Sequence, residues 1–346
     1  MISFPGRRLN PAALVAALLC LGLVSLGSAE DLITESLSPV AEPTAMGRFS
    51  PQEADRLEKA GVMAIVCEDY DGLNMSFPSR VFVDRNNGEV YVVDGGNSRV
   101  LVFTHDLYPL LIIGTSDGLE SPVGVAVDND GFVYVLQAPG KGGVESRISV
   151  FNPALSWERD LLFQGFQGAE SFKPRNILVT PQGELYVTGD GFTGLVVLDA
   201  EGTFIRQLSV EDSVGGEAPR RAMIIDMELD SAGCLYLLSE EMGRVYVFDA
   251  QGVPLRSFGS KGGGPGKLSR PRGIALDEDS RRVLLVDYMR HTVNVYSWDG
   301  EHLFDFGGKG WREGWFQFPN DIGVDSTGNV LVVDTFNNRV QVMHLE

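Results

Sequence analysis

Two distant segments of this chain read almost as one phrase: "FPSRVFVDRNNGEVYVVDGGNSRVLVF" (Phe77 to Phe103) and "FPNDIGVDSTGNVLVVDTFNNRVQVM" (Phe318 to Met343). Weaker copies lie between them. Six starts align at Pro78, Pro122, Pro174, a degenerate one near Ile224, Pro271 and Pro319, at intervals of 44 to 52 residues. Each copy contains short apolar stretches of period two, which predict strands. A unit of this kind has nothing of its own on which to bury its faces, so the copies must stack against one another.

After each start an apolar strand runs to Asp84, Asp128, Thr180, Asp230, Asp277 or Asp325, and a glycine follows as Gly88, Gly131, Gly183, Gly233 and Gly328. Aspartate that bonds nearby amides, followed by glycine at positive φ, is the signature of a tight hairpin. Asp128-Asn129-Asp130-Gly131 looks superficially like a calcium loop, but it lacks the later bidentate glutamate. Second, third and fourth strands follow in each copy, and four antiparallel strands make a propeller blade. The last copy ends after its third strand (340–344), while an orphan strand, Gly61 to Glu68, precedes the first. That strand fits the missing fourth slot. The expected fold is all-β, a six-bladed β-propeller of four-stranded blades closed by an N-terminal strand completing the last blade.

The amino terminus reads as a secretory signal, with Arg7 and Arg8, an apolar run from Ala12 to Val24, and a cut after Ala29. Secretion or a periplasmic location follows as the expectation. Residues 30–60 read as a flexible leader and a short helix capped by Ser50-Pro51-Gln52-Glu53, and 61–346 as the propeller. No later stretch reaches the roughly 20 apolar residues of a membrane span, so stable insertion after signal removal is not expected. Signal removal takes two arginines and no acids, so the formal charge of −19 becomes −21. That sign disfavours nucleic acid and anionic membranes as partners. Cys67 and Cys234 fall in different repeats, and pairing between them is not expected.

The stretch "FGSKGGGPGKLSRPRGIALD" (Phe258 to Asp277), with "VVDGGNSRVLVF" and "VVDTFNNRVQVM", resembles the NHL repeat. The likeness covers roughly residues 61–346 and implies a six-bladed propeller. For function it implies a range: NHL propellers are mostly binding platforms for protein or RNA, and related six-bladed propellers include metal-dependent lyases and lactonases. Fold does not decide among these.

Candidate site residues cluster where the loops entering the first strands and those joining second to third strands open on one face, here called the mouth. The two residues after each start are Ser79-Arg80, Val123-Gly124, Arg175-Asn176, Ile225-Asp226, Arg272-Gly273 and Asn320-Asp321. Arg80, Arg175 and Arg272 belong to alternate blades, and converging arginines suit a carboxylate or phosphate. Pairing with Asp226 and Asp321 is the bland alternative. Asn320 belongs to the same ring. The turn motifs Asp94 to Arg99 and Asp334 to Arg339 read as ion-paired latches; blade 5 departs from them with Tyr288 and His291, which become candidate contacts. Lys141 lies in a glycine-rich loop, Gln137 to Arg147, without the ending of a phosphate loop. Phe77, Phe172 and Phe318 are expected to pack between blades, and Trp311 and Trp315 to approach the mouth. Four histidines, of which only His291 faces the mouth, argue against a polyhistidine zinc site. The reading is a non-catalytic binding scaffold without cofactor, taking a protein partner or a small anionic ligand as a monomer or within an envelope complex. The alternative is a lactonase- or lyase-like enzyme holding a divalent cation such as calcium on Asn176, Asp226 and Asp321.

Overall fold

A computed structural model of the chain describes residues 59–140, 143–213 and 218–346. The expected export signal lies outside these residues, as do Lys141 and the leader and short helix up to residue 58; residue 60, assigned to that segment, instead begins the closing strand. The described chain forms six four-stranded antiparallel sheets and one two-stranded ribbon, Glu211–Asp212 with Arg220–Arg221. The sheets are the six blades, each running from the channel outward in chain order. Blade 1, for instance, comprises Pro78–Val83, Val90–Asp94, Arg99–Phe103 and Pro109–Ile113. Blade 6 is the exception: Asp321–Val324, Val330–Asp334 and Arg339–Leu345 are completed by Ala60–Val66, which pairs antiparallel with Arg339–Leu345 from Ala60 opposite Leu345 to Val66 opposite Val340. The orphan strand closes the ring.

The core is divided as the repeat logic requires. There are six buried apolar clusters, each formed where two consecutive blades meet. Val90, Val92, Leu101 and Phe103 of blade 1 pack on Leu331, Val333, Val340 and Val342 of blade 6; Val293, Val295 and Phe306 of blade 5 pack on Val330, Val332 and Met343 from the other side. Apolar residues at period two on both faces of a sheet make sense only in this geometry.

The turn residues behave as their chemistry predicts. Asp128 Oδ1 accepts the amides of Asp130 (3.0 Å) and Phe132 (2.8 Å), and Asp325 Oδ1 those of Thr327 (2.9 Å) and Asn329 (2.8 Å). Gly131 and Gly328 take φ of 84° and 82°, a region open to glycine without a Cβ penalty. The latches also form: Arg99 Nε donates to Asp94 Oδ2 at 2.7 Å and Arg339 Nε to Asp334 Oδ2 at 2.8 Å. The other oxygen of each aspartate accepts an amide from the segment leading into its own blade, Ser76 at 2.7 Å and Gln317 at 2.6 Å. Cys67 and Cys234 are free thiols.

Candidate functional site

The proline at each start sets up the local geometry. In blades 1, 2, 3 and 5 the pairing register shifts between the proline and the second residue after it, so the first residue after the proline sits in a bulge. Bulges bend a strand and re-aim side chains. Two rings result. An outer ring at the mouth holds Ser79, Val123, Arg175, Ile225, Arg272 and Asn320. One step deeper, an inner ring holds Arg80, Gly124, Asn176, Asp226, Gly273 and Asp321.

The inner ring is a sealed polar layer. Arg80 Nη1 lies 3.0 Å from Asp321 Oδ1 and 3.4 Å from Asp226 Oδ1, with all three side chains buried. Asp321 Oδ2 accepts the Val81 amide of blade 1 (2.9 Å), and Asp226 Oδ2 the Ile274 amide of blade 5 (2.8 Å). Asn176 donates its side-chain amide to Asp226 Oδ1. Each aspartate thus ties its blade to the next. At Gly273 there is no room for a side chain, because a Cβ would come within 2.9 Å of the Asp321 Cα. Below the ring lies a cavity of about 50 Å³ whose charged lining adds only Glu228 to Arg80, Asp226 and Asp321.

Asp226 and Asp321 share the guanidinium of Arg80, whereas Glu228 is acted on by that of Arg85. Burial pushes Asp321 up to about 7, opposed by Arg80, and raises Asp226 as well. Burial, reinforced by the charge of Asp226, pushes Glu228 up to about 8. Arg80 itself is held above its ordinary value, because attraction to Asp321 and Asp226 outweighs its own burial.

The mouth ring is different in kind. Arg175 Nη1 bonds only to the exposed Asp190, at 2.8 Å. Arg272 Nη1 donates to Asn320 Oδ1 at 3.1 Å, and Asn320 Nδ2 in turn donates to the Ser79 carbonyl at 2.7 Å. The Nε groups of Arg175 and Arg272 are both buried; that of Arg175 donates no hydrogen bond within the protein, while that of Arg272 lies 3.4 Å from Glu240 Oε2 in an ion pair. Burial, and then the charge of Arg175, hold the Arg272 guanidinium below its ordinary value, with Glu240 acting the other way. The guanidinium of Arg272 rests on the ring of Tyr288, 4.3 Å from its centroid, and that of Arg270 lies 5.6 Å from it.

Of the candidate residues, the structure therefore brings Arg175, Arg272, Asn320 and Tyr288 together at the mouth. It sets Arg80 one layer below them, paired with Asp321 and Asp226. His291 is buried, 6 % exposed, and its Nδ1 accepts the Phe318 amide at 2.9 Å. Asn338 does the same one blade on, its Oδ1 accepting the Phe77 amide at 2.9 Å. These two acceptors occupy equivalent turn positions, both with left-handed backbone (φ 59° and 54°).

Phe172 packs between blades 2 and 3 as expected. Phe77 does not pack between blades: it is 51 % exposed at the mouth, and Phe318 is half-buried there. Both take positive φ, 48° and 53°, a costly conformation for a bulky side chain. A residue before proline is pushed out of the right-handed helical region, so the pairs Phe77-Pro78 and Phe318-Pro319 carried a signal of unusual backbone, although not of its direction. The rings form a continuous strip: Tyr288 to Phe318 is 4.9 Å between centroids, Phe318 to Phe336 is 5.0 Å, and Phe336 to Phe77 is 5.6 Å.

Comparison with known proteins agrees with this architecture. The NHL-repeat family profile matches residues 75–103 and 316–343, and a family described as a 6-bladed beta-propeller matches residues 224–306. The chain thus carries NHL repeats within a six-bladed β-propeller. Over 117 residues it is 32 % identical to protein lin-41 of Caenorhabditis elegans, a match covering 34 % of this chain and 10 % of that protein. Among solved structures, a streptogramin B lyase superposes with a TM-score of 0.56 at 12 % identity, over 84 % of this chain and 99 % of that one. An auxiliary nutrient binding protein from Bacteroides ovatus gives 0.59 at 17 % identity, over 83 % and 77 %. Likeness at this level of identity speaks to fold alone. Among the described residues no helix is long and apolar enough to cross a membrane, and no group of three or more His, Cys, Asp or Glu side chains is placed to hold a metal ion.

Proposed function

We propose that this chain is an exported, non-catalytic propeller whose mouth face binds a protein partner or a small anionic ligand, acting alone or within an envelope complex. One observation carries the reading: in a chain of formal charge −19, Arg175 and Arg272 repel one another at the mouth, and the buried Nε–H of Arg175 has no acceptor within the protein. A carboxylate or phosphate there would meet both guanidiniums and relieve their repulsion. Isothermal titration with citrate tests this. Arg175→Ala and Arg272→Ala should each weaken binding at least tenfold, and unchanged affinity in both variants would remove the basis of the reading. Export is tested separately, by sequencing the amino terminus of the secreted protein, which should begin at Glu30.

The convergence of Asn176, Asp226 and Asp321 supports a second reading, a lactonase- or lyase-like enzyme with a divalent cation. The guanidinium of Arg80 already stands between the two carboxylates, so a cation must displace it. A rise in melting temperature on adding calcium would favour that reading.

A further inference from the structure

The aromatic strip beside the arginines narrows the ligand. We propose that the mouth binds the carboxyl-terminal segment of a peptide or protein in extended form. Its apolar side chains would lie along Tyr288, Phe318, Phe336 and Phe77, and its terminal carboxylate between Arg272 and Arg175. This rests on the anion reading above and adds the chemistry of the body that carries the anion.

Four features of the site support it. First, the strip reaches solvent, most at Phe77 and Phe336 and in part at the half-buried Tyr288 and Phe318. Phe77 and Phe336 are 51 % and 45 % exposed, and Met289 beside Tyr288 in sequence is 49 % exposed. Exposed contiguous aromatics are uncommon on a soluble chain unless they meet a partner. Second, the strip is held under strain. Phe77 and Phe318 keep left-handed backbone, each fixed by a hydrogen bond that its backbone N–H donates to a side chain of the preceding blade, Asn338 Oδ1 or His291 Nδ1. Conformations of this kind persist where the surroundings impose them and cluster at ligand clamps.

Third, the dimensions suit a chain rather than a small acid. Three ring-to-ring steps of 4.9, 5.0 and 5.6 Å span about five residues of extended peptide at roughly 3.3 Å per residue. A single aryl or aliphatic acid would cover one or two rings. At the Tyr288 end the strip meets the guanidinium of Arg272. Beneath that point the inner ring is closed by the Arg80, Asp226 and Asp321 network, and the cavity below holds only about 50 Å³. A chain following the rings cannot continue down the axis, so a chain end fits there.

Fourth, the polar neighbours of the strip are already committed. Asn97 donates to Asp94 and the Asn74 carbonyl, and Asn337 to Asp334 and the Gly310 carbonyl. Asp94, Asp287 and Asp334 accept backbone amides. A hydroxyl-rich ligand such as a glycan finds no free carboxylate or amide pair to grip, and the net charge of −19 repels a nucleic acid.

The test uses a library of five-residue peptides with leucine or phenylalanine at alternate positions, each made with a free carboxyl terminus and as the carboxamide, with citrate as the small-anion probe. Peptides with a free terminus should bind the full chain, and their carboxamides at least tenfold more weakly. Phe336→Ala and Phe77→Leu, each checked for an unchanged melting curve, should also reduce peptide affinity at least tenfold. Equal binding of acid and amide forms, or unchanged affinity in both phenylalanine variants, would overturn the proposal. If citrate binds in an Arg272-dependent way while no peptide does, the peptide inference fails and the anion reading stands. If neither binds, both fail.

Discussion

Replacing Glu228 by glutamine should remove a large part of the pH dependence that otherwise weakens this propeller as pH rises. Glu228 lies two residues beyond Asp226, and side chains at that spacing share one face of a strand. Both line the axial cavity, where the guanidinium of Arg80 pairs with Asp226 and Asp321 and the one charge opposing the rise at Glu228 is that of Arg85. Burial and the charge of Asp226 raise the Glu228 carboxyl from 4.5 to about 8. The folded protein therefore holds a proton that the unfolded chain releases above about pH 4.5. A group raised in this way contributes its full stability below the unfolded value and loses it as pH rises through the folded one. The slope is about 1.4 kcal/mol per pH unit for one proton, which over this interval approaches 4–5 kcal/mol. Asp226 and Asp321 exchange protons with the same cluster and spread the transition over a wider range. Urea unfolding at pH 5, 6, 7, 8 and 9 reads the effect. Glu228→Gln and the parent should be nearly equal at pH 5, and the variant should lead by several kcal/mol at pH 9. A difference that stays constant across the range would show that Glu228 is ionised in the folded channel, and the argument would collapse.

Three further outcomes are expected. Deleting residues 60–66 removes the fourth strand of blade 6 and the contacts of Ala60, Val62, Ala64 and Val66 with two interblade clusters; against a total stability of about 5–15 kcal/mol for a typical domain, the melting temperature should fall by well over 10 °C, and a truncated protein melting like the parent would refute the closure. His291→Ala should cost about 1–3 kcal/mol by leaving the Phe318 amide without its acceptor, while His291→Asn should recover most of it, since Asn338 does that task for Phe77. Because burial lowers the His291 pKa, its contribution is complete above about pH 6.5 and lost as pH falls below it, so the parent should weaken relative to His291→Asn in melts at pH 5. Asn294 is fully buried with neither end of its amide bonded within the protein, whereas blade 1 has Leu101 at that place; Asn294→Leu should raise stability by about 1–3 kcal/mol in chemical denaturation.

The scaffold was legible in the sequence because its determinants are local and repeated. The turn aspartates, the glycines after them and the Asp94 and Arg99 latch recur at fixed spacing, and each acts on atoms a few residues away. Even the closing strand could be placed, since 61–68 stands at the distance from Pro78 that other fourth strands keep from the next start. The site was legible only in part. That Arg80 lies one layer below Arg272 follows from an offset the sequence shows, second residue after the proline against first, but the bulge that turns this offset into two separate rings leaves no mark in the hydrophobic pattern. Phe77 and Phe318 looked like core residues because apolarity alone predicts burial; their left-handed backbone is imposed by Asn338 and His291 from the preceding blade. Glu228 did carry a signal that was missed. In "DMEL" it shares the parity of Asp226, and a charged residue at that parity in an innermost strand must face the axis.

The pairing of Ala60 with Leu345 has a mechanical consequence. The first strand starts and the last one finishes at the same end of the blade, and the Glu346 amide reaches the Lys59 carbonyl at 3.3 Å. A force drawing residues 59 and 346 apart would act across the ladder at its first rung and open it one hydrogen bond at a time, like a zip. The same ladder loaded along its length would have to break all its rungs together. Holding the protein by one end leaves the ring unloaded, whereas holding it by both makes this seam the place where it would yield.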